Sequence, residues 1–289
     1  MIELRKIRLC DKTEFEKHVP KENIGCESSF VVNFLYAQNF PTYIGNWRGK
    51  VAIAKPPNLL YYPVGEFTYA RDLAEYAKEI SDAGFEFEYI YNVPPDYKNK
   101  SPDLEKYFYL IENEGEFDYI YTPDSLAQLK GALLRKKRNH IKHFLAENPN
   151  WSEEKISQKN FAHVRSFVEE HSVDAEKSSI KSAFDNFYDL SLDGIVLRDN
   201  TKQIVGVAIF AKIGESIYDV IIEKSDHQKR GASQMLVMLE AQKLLGLGAR
   251  FINREQDLNL PNLRHAKRSL DPIFMYKRVS LIPKSYERN

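Results

Sequence analysis

The sequence predicts an α/β protein with two domains, each containing a β-sheet against which helices pack. The chain has 289 residues, which is more than one hydrophobic core usually fills. Short β-prone segments alternate with segments of helical periodicity along the whole chain. Near the middle, Asn148-Pro149-Asn150 interrupts a helical pattern. We therefore expect an N-terminal domain at residues 1–149 and a C-terminal domain at residues 150–289.

The N-terminal domain is predicted to be a sheet with packed helices. Three short β-prone segments are separated by Gly-Asn, Gly and Pro-Pro, at the spacing of an antiparallel meander. Pro123 begins a helix that the pattern continues to Asn148. In chain order we expect a serine-capped helix at 28–36, strands at 42–47, 50–55 and 58–62, a helix at 69–81, strands at 85–91 and 118–121, and that last helix.

The C-terminal domain is predicted to have the element order α, α, β, β, β, α, β, α, β. Turn residues at Asp199-Asn200 and Gly214-Glu215 join the first three strands as antiparallel hairpins. This order gives one sheet with helices on its faces. The elements are helices 158–171 and 176–188, strands 193–198, 204–213 and 216–223, helix 231–247, strand 249–253, helix 260–269 and strand 273–279.

The charges are balanced overall but unevenly distributed. Basic and acidic side chains number 41 each, so the net charge gives no argument for a polyanionic partner. Residues 1–125 nevertheless carry a net charge of −7, and residues 126–289 carry +7. The C-terminal half is therefore the one suited to an anion.

The two cysteines, Cys10 and Cys26, lie near the N-terminus without metal-type spacing. The sequence contains no secretory segment and no apolar run of about 18 residues or more. We therefore expect a cytoplasmic protein that holds no metal ion.

A polar loop lies between the predicted strand 216–223 and the long helix after it. Backbone N–H groups at a helix N-terminus are free to bind an anion, and small side chains let a phosphate approach them. A tight strand-to-helix turn at Gly231, with solvated cations beside it, explains the same residues equally well. The loop residues are Gln228, Lys229, Arg230, Gly231, Ala232 and Ser233.

The spacing Gln-x-x-Gly-x-Ser in this loop resembles the Arg/Gln-x-x-Gly-x-Gly/Ala signature of the acyl-CoA N-acyltransferase (GNAT) superfamily. Ser233 departs from that signature at its last position. Three antiparallel strands followed by β-α-β also match the superfamily's order of elements. The resemblance implies that residues 228–233 hold the pyrophosphate of coenzyme A.

Polar side chains after the predicted strand 249–253 could carry out acyl transfer. Transfer to an amine needs a base, stabilisation of the oxyanion and a proton for the leaving thiolate. Glu255 or Asp257 is the candidate base. Asn253 is a candidate hydrogen-bonding group, and Lys267 or His265 could stabilise charge or act as the acid. The alternative is a polar loop whose charges pair with each other, with Asp257 as a turn residue and Lys267 as a solvated cation.

A basic helical segment precedes the expected domain boundary. Between Asp124 and Glu147 the chain has no acidic residue, and apolar residues occupy one side of the helix. Such a helix could attract a nucleic-acid backbone, a phosphorylated cofactor or an anionic lipid, although a solvated face is the commoner explanation. Its cations are Lys130, Arg135, Lys136, Lys137, Arg138 and Lys142.

The chain also resembles the phosphatidylglycerol lysyltransferase C-terminal-domain family. The matching segments are 61–65, 117–121, 129–131, 137–141 and 252–267, of which the last is the most specific. The resemblance implies two tandem acyltransferase-like domains, each with a mixed, mostly antiparallel sheet flanked by helices. Only the second has a phosphate loop. It also implies relatives that take the acyl group from aminoacyl-tRNA, whereas other superfamily members use acyl-CoA.

The leading hypothesis from the sequence is an acyltransferase that moves an acyl group from acyl-CoA to a small-molecule amine. The second hypothesis is aminoacyl transfer from charged tRNA, which the basic segment Lys130 to Lys142 would contact. The third is a non-catalytic module that binds a ligand. Because the membrane segments of the lipid synthases are missing from this sequence, phosphatidylglycerol is not the expected acceptor.

Overall fold

The computed structural model describes residues 2–284, and the chain divides into two compact units. Of the described residues, unit 1 contains 2–117 together with 276–284, and unit 2 contains 118–275. The division therefore falls at different points from the boundary expected at 149/150. Asn148 instead ends a helix inside unit 2, where its side chain donates to the Phe144 carbonyl and accepts from the Asn200 N–H.

Unit 1 is a seven-stranded sheet with helices. Its strands lie in the order β1-β2-β3-β4-β5-β14-β6, and all neighbours are antiparallel except β4 and β5. Its elements are β1 (Arg5–Lys6), α1 (Lys12–His18), α2 (Phe30–Leu35), β2 (Tyr43–Trp47), β3 (Lys50–Lys55), β4 (Leu59–Tyr61), α3 (Ala70–Asp82), β5 (Tyr89–Val93), α4 (Tyr97–Lys100), β6 (Phe108–Ile111) and β14 (Val279–Pro283).

The sequence explains why these elements form. Ser29 accepts a hydrogen bond from the Val32 N–H and so caps α2. On α3, Leu73, Tyr76 and Ile80 share the apolar face and are fully buried. They belong to one core cluster with inward-facing sheet residues such as Ala54.

Unit 2 is a second seven-stranded sheet, in the order β13-β7-β12-β11-β10-β9-β8. The pair β11–β12 is parallel, and the pairs β7–β12, β10–β11, β9–β10 and β8–β9 are antiparallel. Its elements are β7 (Asp118–Tyr121), α5 (Pro123–Gln128), α6 (Arg135–Glu147), β8 (Ser152–Lys155), α7 (Phe161–Glu170), α8 (Lys177–Asp185), β9 (Asp193–Arg198), β10 (Ile204–Lys212), β11 (Ile217–Ser225), α9 (Ala232–Gly246), β12 (Phe251–Asn253), α10 (Pro261–Arg268) and β13 (Phe274–Tyr276).

The two sheets repeat one topology. If the order of the second sheet is written from β8 to β13, each sheet has a parallel pair at its fourth and fifth positions. The sixth position is filled in unit 1 by β14, the last strand of the chain, and in unit 2 by β7, which follows the elements of unit 1. This confirms the predicted fold class of two tandem, mixed, mostly antiparallel sheets flanked by helices. The units do not divide at 149/150 because β7, α5 and α6 already belong to unit 2 and β14 belongs to unit 1.

Three predicted elements differ from the structure. The single helix expected from Pro123 to Asn148 is two helices, α5 and α6, because Leu129 and Gly131 adopt left-handed backbone conformations with φ of 47° and 94°. Arg138 then donates to the carbonyls of both residues and fixes the break. The strand expected at 85–91 begins only at Tyr89, and the strand expected at 273–279 is two strands, β13 and β14.

Within residues 2–284, no helix has the length and apolar composition needed to cross a bilayer.

We expect β14, which lies far in sequence from the rest of unit 1, to stabilise that unit. Leu281 on β14 is fully buried in the core of that unit, so Leu281→Ala should lower its unfolding free energy by about 2–5 kcal/mol. The chain has two tryptophans, and Trp151→Phe leaves the buried Trp47 as the reporter of unit 1. Urea unfolding followed by Trp47 fluorescence measures the change.

Tyr109→Ala on the neighbouring strand β6 is the control, because Tyr109 is mostly exposed and should change the free energy by less than about 0.5 kcal/mol. An unchanged unfolding midpoint for Leu281→Ala would show that β14 does not belong to the cooperative core.

Candidate functional site

The candidate site lies where the parallel pair β11–β12 of unit 2 ends. The register pairs Tyr218 with Ile252 and Asp219 with Asn253, the last residue of β12. Beyond this point β11 continues to Ser225 beside β10, while the chain after Asn253 turns away into a loop. The register of β11 against β10 also skips Ile221, which marks a β-bulge. Two parallel strands that part in this way open the edge of β11 to a ligand.

Two carboxylates meet at this point. Asp219 on β11 is fully buried, Glu255 after β12 is half-buried, and their carboxylate oxygens lie within 4.8 Å of each other. The Glu255 backbone is left-handed, with a φ of 55°, and its N–H donates to the Asn253 side-chain oxygen at 2.7 Å. A left-handed non-glycine residue is strained, so its neighbours must hold it in place.

Strand β7 supplies the groups that hold this loop. The Asp118 carboxylate accepts from the side-chain amides of Asn253 and Gln256, each at 2.8 Å. The backbone of Tyr119 pairs with the same loop, since its N–H donates to the Glu255 carbonyl and its carbonyl accepts from the Arg254 N–H. The Asn253 amide is thus engaged at both its nitrogen and its oxygen, which suits it to position Glu255.

Asp257 is fully buried and tied to several donors. Arg264 on α10 donates to both of its carboxylate oxygens, at 2.7 and 2.9 Å, and Tyr119 Oη donates at 2.7 Å. The Asn259 N–H donates at 2.8 Å. Burial alone would raise the pKa of this carboxyl, but the hydrogen bonds from Arg264, Tyr119 and Asn259 outweigh burial and lower the pKa of Asp257 to about 2. Asp257 therefore anchors α10 to the loop as a carboxylate.

Lys267 on α10 holds the loop between β12 and α10 through backbone contacts. Its ammonium donates to the backbone carbonyls of Arg254 and Gln256, each at 2.5 Å, and lies 5.8 Å from the centre of the Tyr119 ring. The loop between β12 and α10 is consequently closed by a carboxylate anchor and a lysine anchor.

Arg254 forms a buried ion-pair triad beside the site. Its guanidinium donates to Glu240 on α9 at 2.9 Å and to Glu223 on β11. Burial raises the pKa of the fully buried Glu240 to about 8; Arg254 opposes this rise and Glu223 adds to it. At neutral pH the triad is therefore best described as one cation, one carboxylate and one carboxylic acid. It links β11, α9 and the loop after β12.

The loop at 228–233 begins α9 as the sequence indicates, but part of it is covered. Gly231 has a φ of 85°, and a Cβ built on it would lie 2.2 Å from the His140 carbonyl oxygen of α6. Gly231 and Ala232 are buried, and the Ala232 N–H donates to the Lys229 carbonyl. Lys229 pairs with the buried Asp199 at 2.8 Å, whereas Gln228 and Arg230 are exposed and Ser233 is half-buried. Packing against α6 is thus sufficient to require the glycine.

The basic segment divides into two sets of cations. Lys137 donates to Ser269 and Arg138 to backbone carbonyls, so both serve the packing of unit 2. The other four are exposed, and within the described range 2–284 none of them forms a salt bridge: Lys130, Arg135, Lys136 and Lys142.

In the structure Asn253 ends β12, Glu255 and Asp257 lie in the loop that follows, and Lys267 lies on α10. Their catalytic roles stay predictions. The structure places the loop 228–233 at the start of α9, a different element. The sequence interpretation missed the partners that organise the site. Asp118 and Tyr119 come from a strand more than 130 positions away, and Asp219 and Glu240 look like ordinary strand and helix residues. One available signal was an acidic residue inside an otherwise apolar segment, as at Asp219 and Glu240.

Structural comparisons identify the fold. A conserved protein of unknown function from Bacteroides thetaiotaomicron matches with a TM-score of 0.89 at 23% identity, covering 98% of this chain and 100% of that one. L-PGS from Bacillus licheniformis matches with a TM-score of 0.68 at 12% identity, covering 97% and 93%. A GNAT-family acetyltransferase from Colwellia psychrerythraea matches with a TM-score of 0.56 at 9% identity, covering 97% and 99%. No curated protein sequence matches.

Two mixed sheets in tandem, with a polar loop at the parting of a parallel pair, are the fold that this chain shares with the GNAT-family acetyltransferase. The chain belongs to the family described as "Phosphatidylglycerol lysyltransferase, C-terminal", whose model matches residues 59–280.

The raised pKa of Glu240 predicts how stability depends on pH. The folded state keeps a proton on Glu240 up to about pH 8, whereas the unfolded chain releases it near the ordinary value of 4.5. The contribution of the protonated Glu240 to the free energy of unfolding is therefore fully present below about pH 4.5 and is lost as the pH rises through about 8. We expect Glu240→Gln to remove this loss, because glutamine stays neutral and still accepts from Arg254.

Chemical denaturation of both proteins between pH 5 and pH 9 measures the difference, with a slope of up to about 1.4 kcal/mol per pH unit. The exposed Glu170→Gln is the control and should follow the parent. Parallel curves for the parent and Glu240→Gln would contradict a protonated Glu240.

Proposed function

We propose that this protein is a transferase that moves an acyl or aminoacyl group from an activated carrier to an amine, with Glu255 as the general base. The observation that carries the proposal is the pair of carboxylates, Asp219 and Glu255, held within 4.8 Å at the parting of β11 and β12. Membership of a lysyltransferase family supports the reaction class.

The carboxylate pair suits the acceptor. An amine arrives protonated at neutral pH, and two carboxylates attract the ammonium and accept its proton. Half-buried Glu255 is the member of the pair that a substrate can reach, whereas Asp219 is fully buried and acts beside it. Once one proton has moved to Glu255, the amine nitrogen attacks the acyl carbonyl carbon. The bond between that carbon and the carrier then breaks, and the carrier leaves with its electrons and takes up the surplus proton of the attacking nitrogen.

The edge of β11 suits the acyl carbonyl. Beyond Asp219, this strand and its bulge at Ile221 present backbone groups on the side that β12 has left. A backbone N–H aimed at a carbonyl oxygen stabilises the oxyanion that develops during acyl transfer. The buried triad of Arg254, Glu223 and Glu240 holds this edge rigid from the helix side.

Asn253, Asp257 and Lys267 fit positioning roles in this scheme. Each makes hydrogen bonds that shape the loop: Asn253 to Asp118, Asp257 to Arg264, and Lys267 to backbone carbonyls. Groups that hold a general base within a narrow range of positions contribute to rate without touching the substrate.

Coenzyme A is one candidate carrier, and exposed Arg230 at the start of α9 supports it. The burial of Gly231 and Ala232 and the His140 carbonyl beside them weigh against a pyrophosphate there, because a carbonyl oxygen repels an anion. A charged tRNA is the second candidate carrier. The four exposed cations on and beside α6 favour it, since they lack carboxylate partners among residues 2–284 and suit a phosphate backbone. We therefore place tRNA before coenzyme A.

We expect Glu255→Gln to reduce transfer to an amine by about 10²- to 10⁴-fold, because the amide cannot accept the proton. Single-turnover assays with lysyl-tRNA or acetyl-CoA as the donor, and a set of primary amines as acceptors, measure the rate. Glu170→Gln is the matched control on an exposed helix position. Full activity of Glu255→Gln would rule out this residue as the base. If the unmodified protein shows no turnover with any donor, a non-catalytic module is favoured instead.

Binding measurements distinguish the two candidate carriers, tRNA and coenzyme A. We expect tRNA to bind in a salt-dependent manner, and the combined change Arg135→Glu, Lys136→Glu and Lys142→Glu to weaken binding and reduce the salt slope by about one unit per cation. Calorimetry with coenzyme A should show weak or no binding. Tight coenzyme A binding that Arg230→Glu abolishes, with no effect of the α6 changes on tRNA, would reverse the order of the two carriers.

A further inference from the structure

Unit 1 has a polar cluster at the position that corresponds to the candidate site of unit 2. In its parallel pair β4–β5, Leu60 lies opposite Ile90 and Tyr61 lies opposite Tyr91. The pair Tyr61–Tyr91 holds the position in the repeated topology that Asp219 and Asn253 hold in unit 2. Tyr61 is the last residue of β4. The two phenol rings pack edge to face, with their centres 5.1 Å apart.

The sheet of unit 1 has two different faces. Ala54, Leu60 and Ile90 belong to the apolar core that contains α3. Because side chains alternate along a strand, the residues next to them point to the other face. That face carries Lys55, Tyr61 and Tyr91, which makes it polar although it is buried.

Lys55 is the unusual residue of this face. It is 7% exposed, its ammonium donates to Tyr61 Oη at 2.8 Å, and it lies 4.4 Å from the centre of the Tyr61 ring. Tyr61 Oη in turn donates to Glu27 at 2.9 Å. Within residues 2–284, Lys55 has no carboxylate within 4.0 Å and no second hydrogen-bond acceptor. An ammonium has three N–H donors, so two of them point into the buried cluster without an acceptor.

A second lysine on the same strand shows how the chain satisfies such a group where no ligand is needed. Lys50, at the other end of β3, is half-buried and donates to the Thr68 hydroxyl at 2.6 Å and to the Phe67 carbonyl at 3.3 Å. Burial lowers the pKa of both lysines. Only Lys55 is left with a single polar partner.

Further polar groups of unit 1 surround Lys55. Arg278 is 1% exposed, and its guanidinium donates to Tyr91 Oη at 3.3 Å and lies 3.9 Å from the Glu27 carboxylate. A buried ammonium with unused donors is costly, whereas an apolar side chain of the same length would pack there without that cost. An oxyanion that accepts the unused N–H groups offsets the cost.

We propose that this face of unit 1 is a binding site for an oxyanion, a carboxylate or a phosphate, with Lys55 as its cation and Tyr61 as the residue that positions Lys55. The site does not depend on the transfer reaction of unit 2. It would give unit 1 a way to recognise an anionic substrate or effector.

The first test observes Lys55 directly. The full-length protein is labelled with ¹³C-lysine, and the Lys55 Cε signal is identified by its loss in Lys55→Met. Inorganic phosphate and acetate are then added separately at constant ionic strength. We expect one or both to shift the Lys55 signal saturably and to raise its titration midpoint, while the Lys50 signal stays unchanged. A Lys55 signal that neither anion moves overturns the proposal.

The second test uses matched variants. We expect Lys55→Met to abolish the anion response while thermal stability stays the same or increases, because a buried charge has been removed. Tyr61→Phe should weaken anion binding by about tenfold, as expected for the loss of one hydrogen bond at a charged group. Lys50→Met is the control and should keep the response. If the melting temperature falls for Lys55→Met but not for the control Lys50→Met, Lys55 is a structural residue and the proposal is overturned.

The proposal is separable from the proposed function. Glu255→Gln, which should stop transfer, should leave the anion response of Lys55 intact. An anion response without any transferase activity would support this site and refute the other.

Discussion

The pairing of β7 with β12 is the constraint on which the candidate site depends. It sets Asp118 and Tyr119 beside the end of β12, where Asp118 holds Asn253 and Gln256, and Tyr119 continues the backbone ladder to Glu255. Without that strand, the loop would lose the backbone partner of Glu255, whose left-handed conformation is unfavourable on its own. The same strand occupies the sixth position of its sheet, so one interaction completes both the fold of unit 2 and its candidate site.

The order of strands in the two sheets gives the chain its two-unit architecture. β7 begins unit 2 and pairs with β12 near the end of that unit, whereas β14 follows the elements of unit 2 but completes unit 1. Each sheet therefore pairs strands that are distant in sequence, and pairing of this kind is slow to form because long loops must close first. The repeat also explains the polar clusters, since both lie where a central parallel pair ends.

The charged groups of the site divide by function according to their partners. One set of charged residues makes the contacts that shape the loop: Asp257, Arg264 and Lys267. A second set, Arg254 and Glu240, makes contacts that hold β11 to α9. Glu255 and Asp219 stand at the parting of the strands, where Glu255 is half-buried and Asp219 is fully buried. Buried ion pairs add little net stability for their cost in desolvation, so their concentration here agrees with the precise placement that the proposed transfer reaction would need.

The sequence by itself determined the fold class, most elements and the polar segment after β12, because hydrophobic periodicity, turn residues and caps such as Ser29 act locally. It did not reveal the break at Leu129. Nor did it reveal the return of β14 to unit 1 or the contacts of Asp118 with Asn253 and of Tyr119 with Asp257, because those partners are more than a hundred positions apart. Only the tertiary structure decided that the Gly231 turn is covered by α6 and that Lys55 is left with one polar partner, since burial and hydrogen-bond satisfaction are properties of packing.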